Sequence, residues 1–132
     1  MSQLSIEDLK GGDINPRSTR WVFTWNNYEN TPQWDLILDQ FFLKIGVVYY
    51  IYGKEEGEES HTPHLQGYFR CDKRIYKNTL TNSNIPWYVA VARGSEDENI
   101  DYCSKQGNFE EAGSRIRSDK KKKKVTMEEL KD

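Results

Sequence analysis

The side chains best suited to chemistry in this sequence lie at the ends of two predicted β-strands. His64 and Gln66 are two residues apart, so on a strand they project from the same face. The preceding strand ends in Glu55, which an antiparallel hairpin would return to the side of His64. One imidazole nitrogen with carboxylate and amide oxygens suits Mg²⁺ or Mn²⁺ better than Zn²⁺. The pattern is compatible with a divalent-metal site, but taken alone it is more often a half-exposed strand histidine beside a solvated acidic loop, residues 55–59. His61, in that loop, is interpreted as a bystander.

A second candidate pair is Tyr102 with Lys105, three residues further along a predicted helix and therefore on the same face. Ionising a tyrosine phenol at pH 7 costs roughly 4 kcal/mol, because its pKa is near 10. A nearby ammonium could offset part of that cost and could neutralise charge on a phosphate under attack. The other interpretation is a tyrosine packed on a sheet with a lysine that complements the helix dipole. Spacing alone favours the second interpretation, because tyrosine is commonly a partly buried residue.

The sequence FTWNN at positions 23–27 closes the first predicted strand. One face of this strand could present an aromatic ring and an amide to unstacked nucleic-acid bases. However, Trp21, Phe23 and Trp25 alternate as core residues do, and the two asparagines are also typical of a turn that ends a strand. The segment is therefore a candidate for nucleic-acid recognition, although its pattern is more typical of a core strand that ends in a turn.

The elements that must position these residues follow from periodicity and turn signals. Strands are predicted from period-two alternation, and helices from apolar residues at helical spacing after Thr31-Pro32 and from a capping box at Ser95 and Glu98. We expect the last helix to end near Gln106, before Gly107. The order β-α-β-β-α-β with a further C-terminal helix is typical of an α+β, ferredoxin-like or RRM-like antiparallel sheet with helices on one face. The predicted strands are residues 20–26, 47–54, 64–71 and 87–93, and a weaker helix is residues 74–82.

Length and charge divide the chain of 132 residues into one folded domain and two flanking segments. Residues 1–16 lack sustained periodicity and are expected to form a flexible arm, and residues 17–113 to form the domain. Residues 17–112 carry 10 Lys and Arg against 14 Asp and Glu, a net charge of −4. Residues 115–124 carry 7 basic residues against one acidic residue, a net charge of +6. An acidic body is unlike a general duplex-DNA coat, and residues 114–132 are expected to be a basic tail or linker that begins a following region.

Several function classes are excluded by what the sequence lacks. Cys71 and Cys103 are too few for a disulfide scaffold and are expected to be reduced thiols. The absence of a C-x-x-C pair, with only two histidines, argues against a structural zinc site. There is no G-x-x-x-x-G-K-[ST] motif for a P-loop. Neither a signal peptide nor an apolar run of about 20 residues is present, which predicts an intracellular protein.

Three segments together resemble a specific family. FTWNN at 23–27, HTPHLQGY at 61–68 and YCSK at 102–105 are similar to the three rolling-circle replication motifs of HUH-type endonuclease domains. These domains occur in the replication-initiator (Rep) proteins of circular single-stranded DNA viruses, and the circovirus-like branch is the most similar. The resemblance extends over about residues 20–113. It implies a site-specific endonuclease that nicks and rejoins single-stranded DNA at a viral origin stem-loop during rolling-circle replication in the host nucleus.

The resemblance also implies roles for individual residues. Glu55, His64 and Gln66 would be the ligands of Mg²⁺ or Mn²⁺, with Gln66 replacing a histidine of the wider family and giving a weaker or differently tuned site. Tyr102 would be the nucleophile that keeps the 5′-phosphate, and Lys105 would assist by position or charge. The residues implied in DNA binding are Phe23, Thr24, Trp25, Asn26 and Asn27, with Arg70, Lys73, Arg74 and Lys77 as a phosphate track that a solvated loop explains equally well.

Regions outside the domain carry further expectations. The family usually has a helicase domain after the endonuclease domain, and any oligomer is expected to form through regions beyond this segment. The lysine run at 120–124 would serve as a nuclear import signal or as a solvated linker with weak phosphate affinity.

The competing hypothesis is a non-catalytic, RRM-like module that binds single-stranded nucleic acid. It explains the aromatic residues of the first strand, but it leaves the two candidate pairs as coincidence. It also expects a basic binding face, whereas the body of this chain is acidic.

Overall fold

Five antiparallel strands form one sheet in the order β4-β1-β3-β2-β5 in the computed structural model, which describes residues 14–116. This confirms the predicted α+β, ferredoxin-like class and the predicted order of the first six elements. No helix within residues 14–116 is long and apolar enough to span a membrane. The elements are β1 (Arg17–Asn26), a 3-10 turn (Tyr28–Asn30), α1 (Trp34–Ile45), β2 (Val47–Glu56), β3 (Pro63–Tyr76), α2 (Lys77–Thr81), β4 (Tyr88–Val91), α3 (Glu96–Cys103) and β5 (Phe109–Gly113).

One face of the sheet carries the main aromatic core. Trp21, Phe23 and Trp25 of β1 alternate along the strand and are all at most 1% exposed. They pack in one cluster with Leu38 and Phe42 of α1, so α1 covers this face. Burying an apolar side chain of this size contributes about 1.5–3 kcal/mol, so the alternation in β1 is a large part of what fixes α1 to the sheet.

The opposite face is covered by α3. Tyr49 and Ile51 of β2 and Tyr68 of β3 are completely buried there, against Ile100 and Cys103 of α3. The helices therefore lie on both faces. Helices α1 and α2 share one face, as expected for the ferredoxin-like arrangement, and α3, which was not assigned a face from the sequence, lies on the other. Periodicity identifies the apolar side of a short helix but does not say which face of a sheet that side covers.

Several element boundaries differ from the sequence prediction, and one strand was not predicted. Helix α1 begins at Trp34 rather than at Thr31-Pro32, because Gln33 adopts a left-handed conformation with φ of 60°. Strand β3 pairs with β1 as far as Tyr76, so the predicted helix over residues 74–82 is reduced to α2. Strand β5 was not predicted, since its sequence, FEEAG, gives no alternation signal; all five residues are exposed.

The predicted capping box at the start of α3 is confirmed. The Glu98 N–H donates to Ser95 Oγ over 3.1 Å, and the Ser95 N–H donates to Glu98 Oε1 over 2.8 Å. Helix α3 ends at Cys103, earlier than the predicted Gln106, and Gly107 follows with φ of 85°. Glycine adopts a left-handed backbone conformation without steric cost, so Gly107 lets the chain turn from α3 into β5.

Candidate functional site

The ends of β1, β3 and β2 bring polar residues into neighbouring positions on one face of the sheet. In the antiparallel register, Asn26 is opposite His64, and His64 is opposite Glu55. One pair along, Thr24 is opposite Gln66, and the Thr24 hydroxyl donates to Gln66 Oε1 over 3.3 Å. Directly opposed residues share a face, and so do residues two apart on a strand. Glu55, His64 and Gln66 therefore lie together, on the same face as α3.

The Glu55 carboxylate is the centre of this group of side chains. The Glu55 side chain is only 2% exposed, and Oε1 is 3.3 Å from His64 Nε2. Lys105 Nζ donates to both carboxylate oxygens of Glu55, each at 2.8 Å. Burying an ionised carboxylate is strongly unfavourable unless a cation or hydrogen-bond donors compensate for the lost water. Lys105 supplies that compensation in this structure.

Tyr102 lies next to this ion pair and is not part of the core. It is 54% exposed, whereas Ile100 and Cys103 of the same helix are buried against the sheet. Lys105 Nζ lies 3.8 Å from the centroid of the Tyr102 ring, a cation–π distance, and 3.3 Å from the Tyr102 carbonyl oxygen. The exposed phenol argues against the interpretation of Tyr102 as a tyrosine packed on the sheet. Lys105 thus connects the exposed tyrosine of α3 to the buried carboxylate of β2.

Sequence reasoning missed Gly53, which allows α3 to lie this close to β2. A Cβ atom at position 53 would lie 2.2 Å from the carbonyl oxygen of Cys103 and 3.1 Å from Glu55 Oε2. The C-terminal end of α3 therefore rests on the bare backbone of β2, two residues before Glu55. A glycine inside a strand is the available sequence signal, because it often marks a place where another backbone approaches closely.

The residues present fit a hard divalent cation bound through mixed oxygen and nitrogen ligands. The Glu55 carboxylate and His64 Nε2 already converge, and the carboxylate already holds a cation in the form of Lys105. The Gln66 amide donates through Nε2 to the carbonyl oxygen of Phe23 over 3.4 Å, which leaves Oε1 on the side of Thr24. Within residues 14–116 no group of three or more His, Cys, Asp or Glu could hold a metal. The candidate set would use an amide as its third ligand, which fits a weak Mg²⁺ or Mn²⁺ site.

The FTWNN segment divides between the core and the site. Phe23 and Trp25 are each 1% exposed in the aromatic core, so their side chains are not presented to a base in this structure, and their part in DNA recognition stays a prediction. Thr24 and Asn26 alternate with them and lie on the face that carries the candidate ligands. Asn27 has φ of 54° and donates its N–H to the Pro63 carbonyl over 2.7 Å, which is the behaviour of a strand-ending turn.

The predicted basic cluster is also divided. The Arg70 guanidinium pairs with Glu96, with Nε 3.0 Å from Oε1, and Tyr68 donates to the same oxygen over 2.6 Å. Burial alone raises the pKa of the Glu96 carboxyl, but hydrogen bonds from Arg70 and Tyr68 outweigh it and lower the pKa below its ordinary value. Arg70 is thus paired with a buried carboxylate, and its predicted place in a phosphate track stays a prediction. Lys73 and Arg74 are exposed.

The remaining histidine and the cysteines lie apart from this chemistry. His61 is in the β2–β3 hairpin, with its side chain 75% exposed and Nδ1 3.9 Å from Glu56. Cys71 and Cys103 are free and buried, and burial raises the pKa of each thiol to about 12. Both thiols therefore stay protonated and unreactive at neutral pH.

Comparison with known proteins adds an independent observation. A family profile described as "Putative viral replication protein" matches residues 18–106. The Replication-associated protein of Human associated cyclovirus 1 is 38% identical over 95 residues, which cover 71% of this chain and 33% of that protein. The Replication-associated protein of Porcine circovirus 2 is 34% identical over 107 residues, covering 76% of this chain and 32% of that protein. The chain thus spans about a third of the length of these relatives.

Proposed function

The chain belongs to the viral replication protein family, and from this premise we propose that it nicks and rejoins single-stranded DNA with a divalent metal ion and a tyrosine nucleophile. The proposed target is a stem-loop at a viral replication origin, and the proposed metal is Mg²⁺ or Mn²⁺. The observation that carries the proposal is the position of Lys105, whose ammonium contacts both the buried Glu55 carboxylate and the ring of the exposed Tyr102. It links a candidate metal site to a candidate nucleophile.

The reaction follows from the roles of these side chains. Tyr102 Oη forms a bond to the phosphorus of the scissile phosphate while the bond from phosphorus to the 3′ oxygen breaks. The phenol proton goes to solvent, the 3′ oxygen takes up a proton, and the 5′-phosphate remains on the tyrosine. A 3′-hydroxyl can reverse this step, because the phosphotyrosine is still a phosphodiester. The same residue would therefore nick and rejoin DNA.

Glu55, His64 and Gln66 would hold the metal ion, which would supply Lewis-acid polarisation of the phosphate oxygens. Thr24 would orient the Gln66 amide through its hydroxyl, since the two side chains are hydrogen-bonded across β1 and β3. A single strand is the proposed substrate, because a flexible strand can bend its phosphate toward a site that stacked duplex DNA cannot reach.

The remaining proposals concern the chain around the site. We take residues 17–113 as the catalytic domain, although residues 114–116 still contact it through hydrogen bonds of Ser114 and Ile116 to Arg70 and Glu96. Nuclear localisation through the lysines at 120–124 is proposed from the sequence, and these residues lie outside the described part of the chain. The non-catalytic alternative loses its main support, because Phe23 and Trp25 are buried.

The test is covalent capture of a strand. A library of single-stranded oligonucleotides labelled at the 3′ end is incubated with the protein and Mn²⁺, then heated in SDS, so that only a phosphotyrosine link keeps label on the protein. Wild type should give a labelled band, and Tyr102→Phe should give none while still binding the library. Tyr76→Phe, at another exposed tyrosine, is the matched control and should retain the band. A band that survives Tyr102→Phe would assign the nucleophile to another residue.

A further inference from the structure

The charge balance around Glu55 has a consequence for how a metal ion could bind there. In this structure both oxygens of the carboxylate are already paired with a cation, since Lys105 Nζ is 2.8 Å from each of them. A divalent ion that binds Glu55 needs at least one of the same two oxygens. It would also carry two positive charges next to the ammonium, in a place where little water screens their repulsion because the Glu55 side chain is 2% exposed.

We propose that Lys105 is the resident counter-ion of Glu55 and that a divalent ion binds only by displacing it, so that metal loading frees the ammonium beside Tyr102. This inference rests on the proposed function and concerns the order of events at the same site. The exchange keeps Glu55 paired with a cation, and it replaces the single charge of the ammonium by the double charge of the metal ion. Lys105 is a positioning residue in this account.

The surroundings of Lys105 make the displacement feasible. Its side chain is 38% exposed, so the ammonium can leave Glu55 and regain water without any change in the core. Two contacts on the helix side remain close to it, since Nζ is already 3.8 Å from the Tyr102 ring centroid and 3.3 Å from the Tyr102 carbonyl oxygen. A freed ammonium would stay near the phenol, where an incoming phosphate supplies a negative partner. Without metal, the same ammonium is held by Glu55 and is not available to DNA.

The neighbouring Lys54 provides a matched control. It is adjacent to Glu55 in sequence but pairs with Glu110 at 3.0 Å and lies over the Trp34 ring, on the side of the sheet that faces α1. Lys54→Met therefore removes the same charge at a similar position in the chain without touching the Glu55 carboxylate. It separates a local exchange at one carboxylate from a general effect of net charge on cation binding.

The experiment measures Mn²⁺ binding without DNA, by following the free-ion electron paramagnetic resonance signal during titration of the full chain. Lys105→Met keeps the apolar stem and removes the charge, and Lys105→Gln keeps a donor that can still reach Glu55. Both should bind Mn²⁺ at least about tenfold more tightly than wild type, because no cation has to be displaced. Lys54→Met should leave the dissociation constant within about threefold of the wild-type value. Thermal unfolding provides a second readout, since saturating Mn²⁺ should raise the Tm of Lys105→Met by more than it raises that of wild type.

The outcomes distinguish this inference from the proposed function. Equal or weaker Mn²⁺ binding by both Lys105 variants, with normal binding by wild type, would overturn the exchange and leave the metal site standing. Tighter binding by Lys54→Met to the same extent would replace the exchange by a general charge effect. If wild type and all variants failed to bind Mn²⁺, both the exchange and the proposed metal site would be refuted.

Discussion

Replacing Gly53 by alanine should misplace the proposed nucleophile while leaving all proposed reacting groups in the chain. The added Cβ would lie 2.2 Å from the Cys103 carbonyl oxygen. An ordinary carbon–oxygen contact is roughly 3.3 Å or longer, so the end of α3 must move away from β2 by about 1 Å. Tyr102 precedes Cys103 directly and Lys105 follows it by two residues, so both would move with the backbone.

The expected effect on the reaction is large. A misplacement of about 1 Å in a reacting group costs on the order of 10²-fold in rate, so formation of the covalent adduct by Gly53→Ala should slow by about that factor. Overpacking of this kind typically destabilises a protein by about 1–3 kcal/mol, so the variant should remain folded at moderate temperature. The assay is the single-turnover rate of adduct formation at saturating oligonucleotide, with circular dichroism to verify folding.

Gly57→Ala is the matched control because it adds the same methyl group to the same hairpin. Its Cβ would meet Ser60 Oγ at 3.0 Å, and this exposed hydroxyl can rotate away. The control should react within about threefold of wild type, the range of an ordinary surface substitution. If Gly53→Ala formed adduct as fast as Gly57→Ala, close approach of α3 to β2 would not be what positions Tyr102.

Three further predictions concern the metal, the acid range and the boundary. EDTA should stop cleavage, and Mn²⁺ should restore it at least as well as Mg²⁺. His64→Ala should weaken Mn²⁺ binding by at least about tenfold, and His61→Ala should not. Equal weakening of Mn²⁺ binding by both variants would mean that the wrong histidine has been assigned. Glu96→Gln should lower the free energy of unfolding in urea by about 2 kcal/mol at pH 7. The folded-state pKa of Glu96 is lowered, so the stabilisation by its carboxylate is present above the unfolded-state pKa and is lost as the pH falls through the folded-state pKa. The difference in unfolding free energy between wild type and Glu96→Gln should therefore shrink in acid. A difference that stays constant with pH would refute this prediction. Deleting residues 117–132 should leave Tm and nicking nearly unchanged, whereas deleting residues 114–132 should lower Tm, since hydrogen bonds to the Glu96 network are lost.

Features set by local periodicity were predictable from the sequence. The position of Glu55 opposite His64 follows from the length of an antiparallel hairpin and the period of two, and the register confirms it. The capping box of α3 was predictable because its donors and acceptors are three residues apart in the chain. The roles of the site residues in chemistry stay predictions, since geometry alone does not measure reactivity.

Features that depend on contacts between distant segments were not predictable. Alternation in β1 showed that Phe23 and Trp25 share a face, but only the position of α1 shows that this face is the core. Likewise, Arg70 looked like a free cation because its partner Glu96 is 26 residues away on another element. Gly53 was overlooked because a glycine inside a strand indicates a close approach but does not show which backbone approaches, here that of α3.

The placement of Tyr102 depends on these distant contacts more than on the helix that carries it. Helix α3 has eight residues, and isolated helices shorter than about 12–15 residues are marginal in water. It is held instead at both ends by a buried carboxylate with a cationic partner: Glu96 in its first turn pairs with Arg70 of β3, and Glu55 beneath its last turn pairs with Lys105. Two fixed ends determine both the rotation and the translation of a short helix on a sheet. A change at Glu96 should therefore alter the geometry at Tyr102 although the two residues lie at opposite ends of α3, whereas changes to exposed residues in the middle of the helix should not.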